Sequence, residues 1–232
     1  MPALNKESRH LFLNEINRSN SARQLIYNLF HSEYDDKIEK VVYLCRESTK
    51  SLLPHFEDKN FRNRLNSAIL HTIRLILTVK NKFLPNRCVK YNVRFFTNVM
   101  RNSFNEQDYQ TAHMLWLVLT HPAIANLNLK KNKKNTILFE EIDMFYGKPM
   151  YKKHIKYWNR EHTANTLPSL IAFDTYITRN EFMGFKKEAM LARELLQIYK
   201  YMNYEWCPLL PIYNQGSMTW RQQKQLSKYL MK

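Results

Sequence analysis

Eight histidines and three cysteines are the side chains of this sequence best suited to metal binding or nucleophilic catalysis, and their spacing favours neither. His113 and His121 stand eight residues apart, as do His154 and His162. A helical zinc clamp needs two histidines one turn apart, and no His-Glu-x-x-His run occurs. Cys45, Cys88 and Cys207 are widely separated and odd in number, so they form neither a metal-binding pair nor a disulfide framework; buried free thiols are expected. No Gly-x-Ser-x-Gly elbow is present. Gly147-Lys148-Pro149 has one glycine where a phosphate-cradling loop needs several, because its backbone N–H groups must converge on the anion. Phosphoryl transfer, hydrolysis and metal chemistry are therefore not expected, and no cofactor or metal is called for.

Binding remains. The formal charge of +16 fits a lysine-rich solvated surface, and it equally fits attraction to nucleic acid, an anionic membrane or an acidic protein. Lys130 to Asn135 reads as an exposed basic loop, and Glu161 to Pro168 as a second loop. Aromatic and basic residues interleave from Tyr151 to Arg160, the ingredients of a single-strand stacking surface. At helical spacing, however, Tyr151, Ile155 and Trp158 share one face with the lysines elsewhere, which makes an ordinary amphipathic helix the favoured reading.

The elements that must position these residues are helical. Only three glycines occur, too few for a strand-and-turn architecture. Apolar faces recur at Ala22, Leu25, Ile26 and Leu29; at Ile38, Val41, Val42 and Cys45; and at Leu138, Ile142 and Phe145. Another stripe, Leu191, Leu195, Ile198 and Met202, predicts the core face of a long helix. Leu65 to Val79 is apolar on several sides, as in a helix at the centre of a bundle. The period predicts an all-α chain of about nine or ten helices. A length of 232 residues with 44% apolar content suits a single domain, with 1–20 as an extension and 206–232 as a tail ending in a basic helix from Thr219. No apolar run is long enough to cross a membrane, and the first residues lack a secretory signal core, so a cytoplasmic location is expected.

From Cys88 to Ala125 two apolar helices flank an Asn/Asp-rich break. Val89, Val93, Phe96 and Met100 face inward on the first, and Ala112, Leu115, Trp116 and Leu119 on the second; Asn105 or Asp108 can cap the second helix, and Pro122 suits its end. With Asp108-Tyr109 and His121-Pro122-Ala123-Ile124 in place, this stretch resembles the middle of the catalytic domain of Ras-type guanine-nucleotide exchange factors (RasGEF, the Cdc25-homology fold). Further pieces follow in order. Ser21-Ala22-Arg23-Gln24-Leu25 with Leu29-Phe30 looks like the start of that domain, and Leu65–Leu84 sits where its central helix lies. Leu138-Phe139-Glu140-Glu141-Ile142 and Tyr151-Lys152-Lys153-His154 resemble its short helices. The run from Thr166 to Ile177 resembles its Pro-Phe-Leu-Gly-x-Tyr-Leu-Thr signature, and Ala192 to Tyr201, with Tyr204 and Pro208 following, its closing helix.

The resemblance implies a multi-helix bundle that binds a small GTPase of the Ras superfamily and promotes GDP release without making or breaking a bond. Its hairpin after the signature would pry open the nucleotide site, with Glu181 as the acidic residue. Tyr151, Ser169, Tyr176, Ile177, Thr178, Phe182 and Met183 would contact the GTPase. The chain departs from the family at functional places. Glu181 to Lys186 is short, Ser169 replaces a large aromatic, and His71–Leu77 lacks the Phe-Asn and Trp-Val pairs. An exchange-inactive module on the same fold is the alternative reading. A third is a basic protein that meets anionic membrane or nucleic acid through Lys130–Lys134 and Lys152–Lys156. With the lysine- and asparagine-rich composition, the resemblance also suits a pathogen effector secreted into a host cytosol.

Overall fold

The computed structural model describes residues 34–80, 82–127, 133–146, 151–161, 163, 165–203 and 218–231. In chain order they form α1 (Tyr34–Leu52) with a 3-10 turn (Leu53–His55), α2 (Phe61–Leu77), β1 (Thr78–Val79), β2 (Lys82–Phe83), α3 (Asn86–Asn105) and α4 (Tyr109–Thr120). There follow α5 (Pro122–Ala125), α6 (Lys133–Tyr146), α7 (Lys152–Glu161), α8 (Leu170–Phe182), α9 (Lys186–Asn203) and α10 (Trp220–Leu230). The architecture is all-α apart from one antiparallel pair, Thr78 opposite Phe83 and Val79 opposite Lys82, which the helical period does not anticipate. The predicted helix over Leu65–Val79 accordingly stops at Leu77. The predicted helix face at 22–29, the basic residues at 130–132, the single-glycine stretch 147–149 and the tail at 204–217 lie outside the described residues. Lys133 opens α6, so the basic stretch is partly helical.

Helix α4 is the centre: it touches α1, α2, α3, α6 and α8. It starts because Asp108 accepts a hydrogen bond from the Thr111 N–H at 3.1 Å, satisfying a first-turn donor that the helix itself leaves open. Asp108 is fully buried. Its Oδ1 also lies 3.5 Å from the Thr49 hydroxyl of α1, while Oδ2 meets no donor among the described residues. Burial raises its pKa above the ordinary 3.8, outweighing the hydrogen bonds from Thr111 and Thr49 and the Arg46 charge, which act the other way. A proton on Oδ2 fits that environment.

The turn before α4 is tied to a segment far along the chain. Leu167 N–H donates to the Gln107 carbonyl at 2.9 Å, and Tyr109 N–H donates to the Leu167 carbonyl at 3.0 Å. Gln107 takes a left-handed φ of 61° to make the crossing. The Arg46 guanidinium donates to the Glu106 carbonyl at 3.0 Å and to the Asn165 carbonyl, clamping both segments from α1. Of residues 161–168, expected as an exposed loop, Glu161, Thr163 and Asn165 are exposed, whereas Thr166, Leu167 and Pro168 are buried.

Most predicted faces point inward. Ile38, Val41, Val42 and Cys45 are buried, as are Val89, Phe96 and Met100 on α3 and Leu138 and Ile142 on α6. On α7, His154, Ile155 and Trp158 are buried while Lys152, Lys153, Lys156 and Arg160 face solvent, the amphipathic arrangement. Thr219 caps α10 in a reciprocal capping box with Gln222. That helix packs on α2, where Met218 N–H donates to the Ser67 hydroxyl at 3.0 Å. Two expectations are corrected. The core stripe of α9 is Ala189, Ala192 and Leu196; of the predicted stripe Leu195 packs half-buried against the core, the larger Leu191 and Ile198 are 55% and 52% exposed, and the Met202 side chain lies outside those described. Small alanines let α9 lie close along α8, which turns the bulkier stripe outward. Cys45 is a buried thiol whose pKa desolvation raises, but Cys88, in the first turn of α3, is exposed.

Because the folded state raises the Asp108 pKa, this carboxyl favours folding below about pH 3.8 and loses that contribution as pH rises through its elevated value. Asp108→Asn keeps a capping oxygen and removes the charge, so it should hold or increase stability at pH 7. Asp108→Ala should lower it by about 1–2 kcal/mol. Urea unfolding of both variants checks this; equal losses would show that the carboxylate charge itself is needed.

Candidate functional site

Helix α8 begins at a buried polar junction. Ser169 is its N-cap: the hydroxyl accepts from Ala172 N–H at 3.2 Å. The same oxygen lies 2.7 Å from His113 Nδ1 on α4. Ser169 N–H donates to His154 Nε2 on α7 at 3.2 Å. Three helices thus meet at one serine. His113 stacks on Tyr146 with ring centroids 4.0 Å apart and meets the edge of Tyr151 at 4.9 Å. Both histidines are fully buried. Burial pushes His113 well below its ordinary pKa of 6.5, with the His154 charge acting in the same direction, and burial pushes His154 down to about 3.

From that start α8 runs alongside α2 and leaves a groove of about 340 Å³ between them. Leu65 and Ile69 of α2, Leu117 of α4 and Ile171 of α8 supply its apolar lining; Arg62, Asp174, Thr178 and Arg179 line it with polar groups. A second hollow of about 390 Å³ shares Arg62, Asp174 and Thr178 and extends to Phe56, Asp58, Ile177 and Arg193. Between the two, Arg62 makes a two-pronged ion pair with Asp174, at 2.7 Å from Nε and 3.1 Å from Nη2, and donates to the Thr178 hydroxyl.

The far end of α8 is closed by a Schellman motif. Phe185 N–H reaches the Asn180 carbonyl at 2.8 Å and Gly184 N–H the Glu181 carbonyl at 3.1 Å. Gly184 sits at φ +81°, a conformation that a side chain disfavours. This tight turn into α9 leaves Phe182 87% exposed, with Met183 at 58% and Phe185 at 50%. Glu181, beside them, holds Arg193 of α9 at 2.7 Å on the surface. An exposed pair of this kind contributes only about 0–1 kcal/mol, so a partner can exchange it readily.

The structure divides the predicted site residues into three groups. Thr178, Glu181, Phe182 and Met183 lie together along the last turns of α8, at the groove and the hairpin tip. Ser169, Tyr176 and Ile177 are buried, Ile177 at the edge of the second hollow. Ser169 is held inside by its capping role, and Tyr176 and Ile177 fall on the core face of α8. Tyr151 is half-buried against His113, on the far side of that junction. Arg62 and Arg193 were not anticipated, because their partners lie far along the sequence and no local pattern signals the pairing. Among the described residues no cluster of His, Cys, Asp and Glu is placed to hold a metal ion. An apolar floor with a charged rim and a projecting apolar tip is suited to gripping a protein surface. No protein-family model matches the sequence, and no curated protein matches it.

The junction makes acid sensitivity measurable. His113 and His154 have folded pKa values below 6.5, so the unfolded chain takes up protons that the folded chain refuses. Their contribution to stability is present above about pH 6.5 and is lost as pH falls toward 3. In the Asp108→Asn variant, which removes the opposing slope of the raised Asp108 carboxyl, urea midpoints should decline between about pH 6.5 and 5, before most carboxylates titrate. A flat profile of that variant over the interval would contradict the buried neutral pair.

Proposed function

We propose that this protein binds a small GTPase of the Ras superfamily in the α2–α8 groove and promotes GDP release. The observation that carries the reading is the position of the groove and the exposed Phe182-Met183-Gly184-Phe185 tip. They adjoin the α8 residues that the exchange-factor resemblance assigns to GTPase contact. Catalysis of this kind needs no covalent chemistry. It requires only that the nucleotide-free GTPase be bound more tightly than the loaded one, which lowers the barrier to release. The groove would hold the GTPase surface, Phe182 and Met183 would enter it, and Glu181 would leave Arg193 to compete for the groups that hold the nucleotide phosphates.

A second reading is favoured by one feature. Only Met183–Phe185 separate α8 from α9, and α9 packs back along α8, so the hairpin is short for prying a site apart. On that reading the same surface binds a GTPase without releasing nucleotide.

Release of fluorescent GDP from representatives of each Ras-superfamily branch separates the two. Exchange predicts acceleration on at least one branch. Glu181→Ala should slow it without changing the thermal midpoint, and Phe182→Ala should weaken capture of the nucleotide-free GTPase about tenfold or more. Capture without acceleration selects the binding module; neither capture nor acceleration removes the GTPase from the account.

A further inference from the structure

Three long stretches of this chain contain no aspartate or glutamate: 59–105, 109–139 and 206–232. Described parts of all three come together near the C-terminal end of α2. There they enclose a groove of about 680 Å³, and every residue lining it comes from one of the three. Its walls are Leu77, Phe83, Leu84 and Val89 from the first, Ala123 and Leu127 from the second, and Leu230 and Met231 from the third. Lys80, Lys82, Arg87, Lys90 and Lys228 lie on the elements that form these walls, and all are exposed. None of them makes an ion pair with a carboxylate among the described residues. At the rim, Val79, Phe83, Leu127 and Met231 are 51%, 48%, 39% and 54% exposed.

We propose that this end of the molecule docks on an anionic phospholipid bilayer. The four lysines and Arg87 would neutralise headgroup charge while Phe83, Leu127 and Met231 enter the headgroup layer, the pairing of basic and apolar groups that interfacial binding uses. Nucleic acid fits less well. One face of Phe83 is already stacked on Tyr229, with centroids 5.2 Å apart, and the other rim residues are aliphatic and offer bases no platform. The site differs from the lysine runs singled out in the sequence. It also does not depend on the GTPase reading. Ile69 in the α2–α8 groove and Leu77 here are eight residues apart on α2, about 12 Å along its axis, so the two grooves open at separate points along that helix.

Co-sedimentation of the full chain with phosphatidylcholine vesicles, with and without phosphatidylserine, tests the proposal. Binding should require phosphatidylserine and weaken as salt rises from about 0.05 to 0.5 M. Paired Lys82→Glu and Lys228→Glu should reduce partitioning more than about tenfold. Phe83→Ser with Met231→Ser should also reduce it, with thermal midpoints confirming that each variant folds. Paired Lys152→Glu and Lys153→Glu on α7 should change it little. Equal binding to neutral vesicles, no binding, or an equal loss in the α7 pair would overturn the assignment. So would preference for a single-stranded oligonucleotide over phosphatidylserine vesicles.

Discussion

Two backbone hydrogen bonds between the α3–α4 turn and Leu167 decide where the second half of this molecule sits. They join segments far apart in sequence, so the entropy of closing that loop must be offset locally. The offset comes from a fully buried cap at Asp108, the Arg46 clamp on two carbonyls and the three-helix meeting at Ser169. The Asp108 cap and the Ser169 meeting pair polar groups that would otherwise be buried without a partner, where the penalty is largest, while Arg46 ties the two segments through exposed carbonyls. With Ser169 fixed, the first turn of α8 is fixed; the helix then packs on α4, α7 and α9 and faces α2 across the groove.

That single constraint sorts the residues of α8. The inner face carries Phe173, Tyr176 and Ile177 into the core; the face toward α2 carries Asp174 and Thr178 to Arg62; the last turn carries Phe182 into solvent. A groove bordered by an exposed surface pair, Glu181 with Arg193, suits recognition in which a partner replaces weak exposed contacts with its own. The opposite end of α2 has another character, apolar at its centre and basic around it, so one helix spans two surfaces of different chemistry.

Local chemistry was legible in the sequence. A cap at Asn105 or Asp108, of which the fold uses Asp108, Thr219 as the start of the last helix, and the inward faces of α1, α3 and α6 all follow from spacing of 3.6 residues and from the oxygen that an N-terminus needs. What depended on distant partners was not legible. Histidine spacing compares neighbours such as His113 with His121, whereas the fold sets His113 beside His154 around a serine. The α9 stripe misled for a different reason: hydrophobicity ranks leucine above alanine, but close helix packing selects the small residue. Arg62 with Asp174 is a long-range pair that nothing in either local sequence announces.

The most direct test of the groove as the GTPase-binding surface is hydrogen exchange on the full chain, with and without a nucleotide-free Ras-family GTPase. The account predicts slower exchange at residues 62–69 and 171–185, with the basic end around Phe83 and Leu230 unchanged. Protection confined to that basic end, or none along α2 and α8, would contradict it.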